Sequence, residues 1–305
     1  MELLKKAELE LSVVLPAYNE AEVMAELLQR LLSELRKSKL PFETILVDDG
    51  SQDATAEKAE LVKQEFPELI VIRHPYNKGN GSAVKTGLRA AKGRVVVCMD
   101  ADGQHDVADL LHLYDAIGEY DLVVGARTES YKSPPTRKLG NWIFNQFASK
   151  LTGFKIQDLT SGFRAFRREA IVPYIDLLPA RFSYPTTSTL VFLKAGYNVK
   201  YLPVQVKPRN QGQSKIAIVK DGWRFMMIIL KIIVLFEPLQ IFLPVAMLFL
   251  LTALASTGYA SISLQRLFIP NSGALFFSIS VLVFLLGLIA EQITNLQIMS
   301  SKNGR

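Results

Sequence analysis

The 305-residue chain has one cysteine, Cys98, and so cannot close an intrachain disulfide; nothing in it requires an oxidising compartment. Cys98 lies in the apolar run Val95-Val96-Val97-Cys98-Met99, which reads as a buried strand. Met1 to Glu10 carries charges but no apolar stretch long enough for a signal peptide, so the first domain is expected to start and stay in the cytoplasm. There is no basic stripe with interleaved aromatics, which argues against nucleic acid as a partner. Charge is missing altogether between Glu237 and Arg266 and again between Arg266 and Glu291. Each gap exceeds the roughly 20 residues that cross a bilayer core, and two spanning helices are expected, Leu239–Leu264 and Ala274–Thr294, joined by a turn around Pro270-Asn271.

The charge that is present is placed to match. The formal net charge of +6 is modest. Part of it, Lys215, Lys220, Arg224 and Lys231, precedes the first apolar run, where it suits an anionic lipid surface. Segment 215–237 mixes these cations with Ile, Met, Trp and Leu, the pattern of a helix lying in the membrane interface. Lys302 and Arg305 follow the second span and only Arg266 marks the turn, so both ends and the first domain are expected on the cytoplasmic side of an inner membrane. The chain thus divides into a catalytic domain, 1–214, an interfacial helix, 215–237, and a two-span anchor with a short tail, 238–305.

In the first domain β-branched runs alternate with segments of helical period. The runs are Leu11–Leu15, Thr44–Val47, Leu69–Ile72, Val95–Met99 and Leu122–Val124; the helical segments include Ala21–Arg36, Ala54–Glu65, Gly81–Ala91 and Val107–Ile117. The alternation predicts an α/β fold with a mainly parallel sheet covered on both faces, whose ligands sit beyond the carboxyl ends of the strands. After a Pro-containing loop at Ser133-Pro134-Pro135, a helix is expected over Lys138–Leu151. Short strands at Gly162–Phe166 and Val199–Val204 would extend the sheet, with antiparallel pairing open to either.

Polar clusters fall at the strand ends. Asp100-Ala101-Asp102 sets two carboxylates beside the crevice, and a hard divalent cation can bind one or two such groups together with phosphate oxygens. Alternatively, Asp102 caps the following helix. Asp48-Asp49-Gly50-Ser51 contains ordinary turn residues. Asn77-Lys78-Gly79-Asn80-Gly81-Ser82 reads either as a phosphate loop opening a helix or as a turn, and its spacing matches neither the Rossmann nor the Walker pattern. His105 is either a metal ligand or a supporting residue, and His74 and His112 have no visible partner.

Together these motifs are more specific than apart. Pro16-Ala17-Tyr18-Asn19-Glu20, Asp48-Asp49-Gly50-Ser51, Asn77-x-Gly79, Asp100-x-Asp102-x-Gln104-His105 and Ser161-Gly162-Phe163-Arg164 occur in the order found in glycosyltransferase family 2. The chain resembles the branch that contains dolichyl-phosphate mannose synthases and bacterial polyprenyl-phosphate glycosyltransferases, from Leu11 to Lys215 and on into the tail. The resemblance implies a GT-A fold, a nucleotide-sugar donor, Mg²⁺ or Mn²⁺ as cofactor, and inversion at the anomeric carbon. It assigns Pro16, Tyr18, Glu20, Asp48, Asp49, Asn77, Gly79, Asp100 and Ala101 to donor binding, and Asp100, Asp102 and Gln104 to the metal–diphosphate site. Arg127, Arg137, Ser161, Arg164 and Lys215 are placed near the acceptor phosphate and Asp158 at the reacting centre.

The expected activity is transfer of one sugar, first guess glucose from its uridine diphosphate, to undecaprenyl phosphate. The chain has no Gln-x-x-Arg-Trp signature of processive synthases. A homo-oligomer, a tetramer by resemblance, is a further expectation. Transfer to diacylglycerol or another membrane lipid, and a non-catalytic membrane scaffold, are the alternatives.

Overall fold

The computed structural model describes residues 9–127, 142, 144–146, 148–150, 152–181, 183–205, 227, 230, 234 and 237–303. The chain separates into two compact units, 1–226 and 227–305.

In the first unit, strands β1 (Leu11–Ala17), β2 (Phe42–Asp48), β3 (Leu69–Arg73) and β4 (Val95–Cys98) alternate with helices α1 (Ala21–Lys37), α2 (Thr55–Glu65) and α3 (Asn80–Ala90). All the pairings among these strands are parallel, with Val13 opposite both Thr44 and Val97. Every residue of β1, β2 and β4 is buried, as unbroken apolar runs require when helices cover both faces of a sheet. Helix α1 buries Leu27, Leu28, Leu31, Leu32 and Leu35, a stripe at helical spacing, and places Arg36 and Lys37 in its last turn, where cations oppose the negative end of the helix dipole.

Helix α4 (Val107–Ala116) leads to β5 (Leu122–Arg127), and the described residues between 142 and 152 are helical. Strand β6 (Arg164–Arg167) then runs antiparallel between β4 and β5, giving the order β3-β2-β1-β4-β6-β5-β7. It joins the sheet, as the sequence suggests, and its place between β4 and β5 is not readable from so short a pattern. From β6 a helical turn (Arg168–Ile171) and a 3₁₀ helix (Val172–Leu177) lead to α5 (Tyr184–Lys194) and β7 (Val199–Val204), which pairs parallel with β5. An antiparallel strand enters the sheet where its parallel neighbours leave it. Residues 158–163, just before β6, are therefore delivered to the carboxyl ends of β4 and β5.

The second unit contains α6 (Leu239–Ser263) and α7 (Asn271–Asn303), packed as a hairpin. Each holds a stretch long and apolar enough to cross a membrane, Leu239–Ser263 and Asn271–Thr294. The contact is built from small residues at seven-residue spacing: Ala246 and Ala253 on α6, and Gly273, Ser280 and Gly287 on α7. A seven-residue repeat keeps one helix face against its partner in left-handed packing, and small side chains let the backbones approach. A Cβ on Gly287 would lie 2.7 Å from Phe242 Cβ. Ser280 Oγ donates to the Ala246 carbonyl at 2.8 Å, satisfying a hydroxyl that lipid could not. Leu248 and Leu286 face outward, more than half exposed.

Candidate active site

At the ends of β1 and β2 the chain is stitched by short-range polar contacts. Asn19, at φ 56°, donates its N–H to Ser51 Oγ at 2.9 Å, while its Oδ1 accepts from the Gln52 N–H at 2.9 Å. Asp48 is fully buried; its Oδ1 accepts from the Ser51 N–H at 3.0 Å and its Oδ2 lies 3.3 Å from Arg73 Nε. Asp49 uses both oxygens: Oδ1 accepts from the Lys78 N–H at 3.0 Å and pairs with His74 Nδ1 at 2.7 Å, and Oδ2 accepts from the Gly79 N–H at 2.7 Å. His74 Nε2 meets Thr86 Oγ1 at 2.9 Å. His74 is thus a supporting residue that sequence reasoning missed, because its carboxylate partner lies 25 positions away. Pro16 is buried within β1, whereas Tyr18 and Glu20 stand half-buried at its exit.

The same contacts alter the reading of Asn77–Ser82. The N–H groups of Lys78 and Gly79 go to Asp49, and those of Gly81 and Ser82 go to the carbonyls of Arg181 (3.2 Å) and Ala180 (2.6 Å). A Cβ on Gly81 would sit 2.0 Å from the Pro179 carbonyl oxygen. The glycines here admit the backbone of residues 179–181, and these donors do not form a phosphate cradle. Asn77 and Gly79 lie in the loop that Asp49 holds.

At the end of β4, Asp106, not Asp102, caps α4, accepting from the Ala108 N–H at 3.2 Å. Asp102 is half-buried, and its Oδ1 accepts from the Gln104 N–H at 3.1 Å. Ala101, between the two carboxylates, is buried. Asp100 faces Gly162: a Cβ there would lie 3.0 and 3.2 Å from its two oxygens, so glycine lets the turn come close to the carboxylate. Asp100, Asp102 and the Gln104 amide offer hard oxygen donors, and they fit Mg²⁺ or Mn²⁺. Among the described residues no group of three or more His, Cys, Asp and Glu side chains forms a closed metal cage, in keeping with an ion that completes its shell from phosphate and water. His105 is buried and stacked on Phe163, and burial holds its imidazole below the ordinary value, with Asp102 opposing and Arg127 reinforcing that shift.

The turn before β6 is organised by Asp158. Arg127 Nε and Nη2 bind its two oxygens at 2.8 Å each, a bidentate pair, and the Thr160 and Ser161 N–H groups both donate to Oδ1 at 3.1 Å. Burial raises the carboxyl, but Arg127 and these backbone donors outweigh it and hold Asp158 below the ordinary 3.8. Both Asp158 oxygens are thus engaged by protein donors. Because its folded-state value is depressed, its stabilisation is complete above the ordinary value and is lost as pH falls through the folded one. Wild type should accordingly lose stability below about pH 4 more steeply than Asp158→Asn, in denaturant melts followed by fluorescence. Equal slopes would remove the ion pair from the account.

Two residues expected at the acceptor phosphate face inward. Ser161 is buried and its Oγ donates to the Gly125 carbonyl at 2.6 Å. Arg164 is 0 % exposed. Its Nε donates to the Ser161 carbonyl at 3.0 Å, and its Nη1 to the Pro185 carbonyl and Ser188 Oγ, both at 2.8 Å, while Nη2 also meets the Ser161 carbonyl. Burial lowers its pKa. A guanidinium at strand position Cys98↔Arg164 points into the core, so Arg164 fixes the turn from below and spends its donors on protein acceptors. Tyr184, which the sequence did not single out, donates its hydroxyl to the Gly162 carbonyl at 2.7 Å from the start of α5. Arg137, Lys215 and most of segment 215–237 lie outside the described residues.

The family model for glycosyl transferase family 2 matches residues 12–173, more than half of the chain, and covers all of these strand-end motifs through β6. The chain belongs to glycosyltransferase family 2. A second model, the GtrB C-terminal hairpin, matches residues 237–296 of this glycosyltransferase, the two apolar helices. An undecaprenyl-phosphate mannosyltransferase of Micrococcus luteus is 28% identical over 213 residues, 67% of this chain and 86% of the relative. A dodecaprenyl-phosphate galacturonate synthase of Rhizobium johnstonii is 32% identical over 166 residues, 53% of this chain and 49% of the relative. Among solved structures, glucosyl-3-phosphoglycerate synthase of Mycobacterium tuberculosis, in complex with Mn²⁺, uridine diphosphate and phosphoglyceric acid, superposes with a TM-score of 0.57 at 18% identity, over 74% of this chain and 78% of that one. That likeness establishes the GT-A fold of the enzyme. Mn²⁺ and uridine diphosphate are bound in that neighbour.

Proposed function

We propose that this glycosyltransferase moves a single sugar, with inversion, from a nucleoside diphosphate to a polyprenyl phosphate at the cytoplasmic face of a membrane. The observation that carries the acceptor class is the state of Asp158. A lipid hydroxyl such as that of diacylglycerol needs a general base, whereas a phosphate monoester is anionic near neutral pH and needs none. Both oxygens of the carboxylate in the acceptor turn are taken by Arg127 and backbone N–H groups, which supports the acceptor that requires orientation only. The names of the two relatives, both polyprenyl-phosphate enzymes, and the two spanning-length helices point the same way.

In this reading Tyr18, Glu20 and the loop held by Asp49 border the nucleoside, and Asp100, Asp102 and Gln104 hold the metal beside the diphosphate. A divalent cation there stabilises the charge that develops on the leaving nucleoside diphosphate. Arg127, oriented by Asp158, together with Arg137 and Lys215, aligns the acceptor phosphate for in-line attack on the anomeric carbon. Much of the acceleration then comes from proximity. The hairpin would anchor the enzyme in the membrane that holds the lipid acceptor, with both ends cytoplasmic. Uridine diphosphate glucose is the first donor to try. Guanosine diphosphate mannose and an aminoarabinose donor come next, because the relatives named above use different sugars.

A transfer assay in membranes decides this. With undecaprenyl phosphate as acceptor, one donor of a nucleotide-sugar panel should give a glycolipid only when Mg²⁺ or Mn²⁺ is present. Product formed on diacylglycerol but not on the lipid phosphate would overturn the acceptor assignment.

A further inference from the structure

The donor-side loop Asp100–His105 and the acceptor-side turn Asp158–Phe163 touch at two points. Gly162 lies against the Asp100 carboxylate, and Phe163 stacks on His105 with ring centroids 4.3 Å apart and planes inclined by 23°. Phe163 has little freedom of its own. It is fully buried, its carbonyl accepts from the Gly125 N–H at 2.9 Å, and a Cβ on Gly125 would fall 2.8 Å from Phe163 Cδ1. The turn is thus anchored on β5, and the metal loop leans on it through one ring. His105 is 7% exposed, and its Nδ1 has no hydrogen-bond partner among the described residues, so its contact with the turn is that of its ring face on Phe163.

We propose that His105 is a positioning residue whose ring, stacked on Phe163, sets the donor loop against the acceptor turn, and whose nitrogens take no part in metal binding or proton transfer. The stack fixes the separation between the anomeric carbon and the attacking phosphate, the quantity to which an in-line displacement is most sensitive. The inference rests on the reading of Asp100–Gln104 as donor side and Asp158–Ser161 as acceptor side.

The test uses the full chain in nanodiscs, with kcat, both KM values, the metal activation constant and thermal unfolding measured for His105→Phe, His105→Leu, Phe163→Leu and the His105→Leu/Phe163→Leu double variant. His105→Phe, which keeps a ring and discards the nitrogens, should stay within about threefold of wild type in kcat and metal activation. His105→Leu, which fills the space without a ring, should lose roughly 30- to 100-fold in kcat, the scale of an ångström misplacement. The double variant should be no more than about threefold worse than the poorer single one, because contacting residues share one interaction.

The proposal fails if His105→Phe is as impaired as His105→Leu, if its metal activation constant rises about tenfold, or if the two Leu losses multiply. It also fails if His105→Leu changes only the unfolding temperature. Calorimetric affinity for a nucleoside diphosphate with Mn²⁺ should rank the variants in the same order without any acceptor. A wrong donor–acceptor assignment shows differently, as a wild type that makes no glycolipid and binds no nucleoside diphosphate with metal, and is recognised before variants are compared.

Discussion

Asp102→Asn should reduce transfer by at least ~1,000-fold, equivalent to about 4 kcal/mol of transition-state stabilisation, while leaving the unfolding free energy within about 0.5 kcal/mol of wild type. The asymmetry follows from where the carboxylate stands. Asp102 does not cap α4, a task that Asp106 performs, and its Oδ1 contact to the Gln104 N–H can be kept by an asparagine amide oxygen. What asparagine cannot keep is the negative charge beside Asp100 that draws a hard cation to the diphosphate. Asp100→Asn should behave alike. Steady-state transfer at saturating and limiting metal, with thermal unfolding as control, checks both. Near-normal transfer by Asp102→Asn would remove the metal from this end of β4.

Arg164→Met should have the opposite signature, a folding defect first and a catalytic one as its consequence. Its guanidinium holds the carbonyls of Ser161 and Pro185 in a place water cannot reach, and two orphaned acceptors cost about 2–5 kcal/mol together. Arg164→Lys should recover little, because an ammonium on a flexible stem cannot span the turn and the start of α5 as a planar fork does. A fall in Tm of roughly 5–15 °C in detergent-solubilised protein is expected for either. Surviving protein should also transfer slowly, since the turn carrying Gly162 would no longer hold its place beside Asp100. A variant with wild-type stability and a raised acceptor KM alone would mean that Arg164 meets the phosphate after all.

Several features needed no coordinates. Strand and helix periods place β1 to β4 within a residue or two and the start of β5 at Leu122, three residues short at its end, because a parallel sheet covered on both faces demands unbroken apolar runs that few other structures tolerate. The charge-free stretches mark both helices of the hairpin, since bilayer thickness sets a length no soluble helix has to match. Motif order identifies the family, and Asp100 and Asp102 follow β4, as the apolar run before them implies. The seven-residue spacing of Gly273, Ser280 and Gly287 is likewise visible in the sequence, though only the hairpin shows that it faces Ala246 and Ala253.

Other features belong to the tertiary structure alone. Ser161-Gly162-Phe163-Arg164 reads as a motif of functional residues, yet strand alternation sends the Arg164 side chain into the core and leaves Gly162 as the residue that touches the site. Asp158 could be base, cap or ion-pair partner by its type; Arg127, 31 residues earlier, decides it. His74 found its role the same way, through Asp49. Sequence determines which chemistry the chain can hold and which segments bury themselves, because those follow from residue type and period. Whether a given polar group acts on substrate or supports its neighbours depends on partners brought together across the sheet: β2 beside β3 for Asp49 and His74, and β6 folded back between β4 and β5 for Asp158 and Arg164.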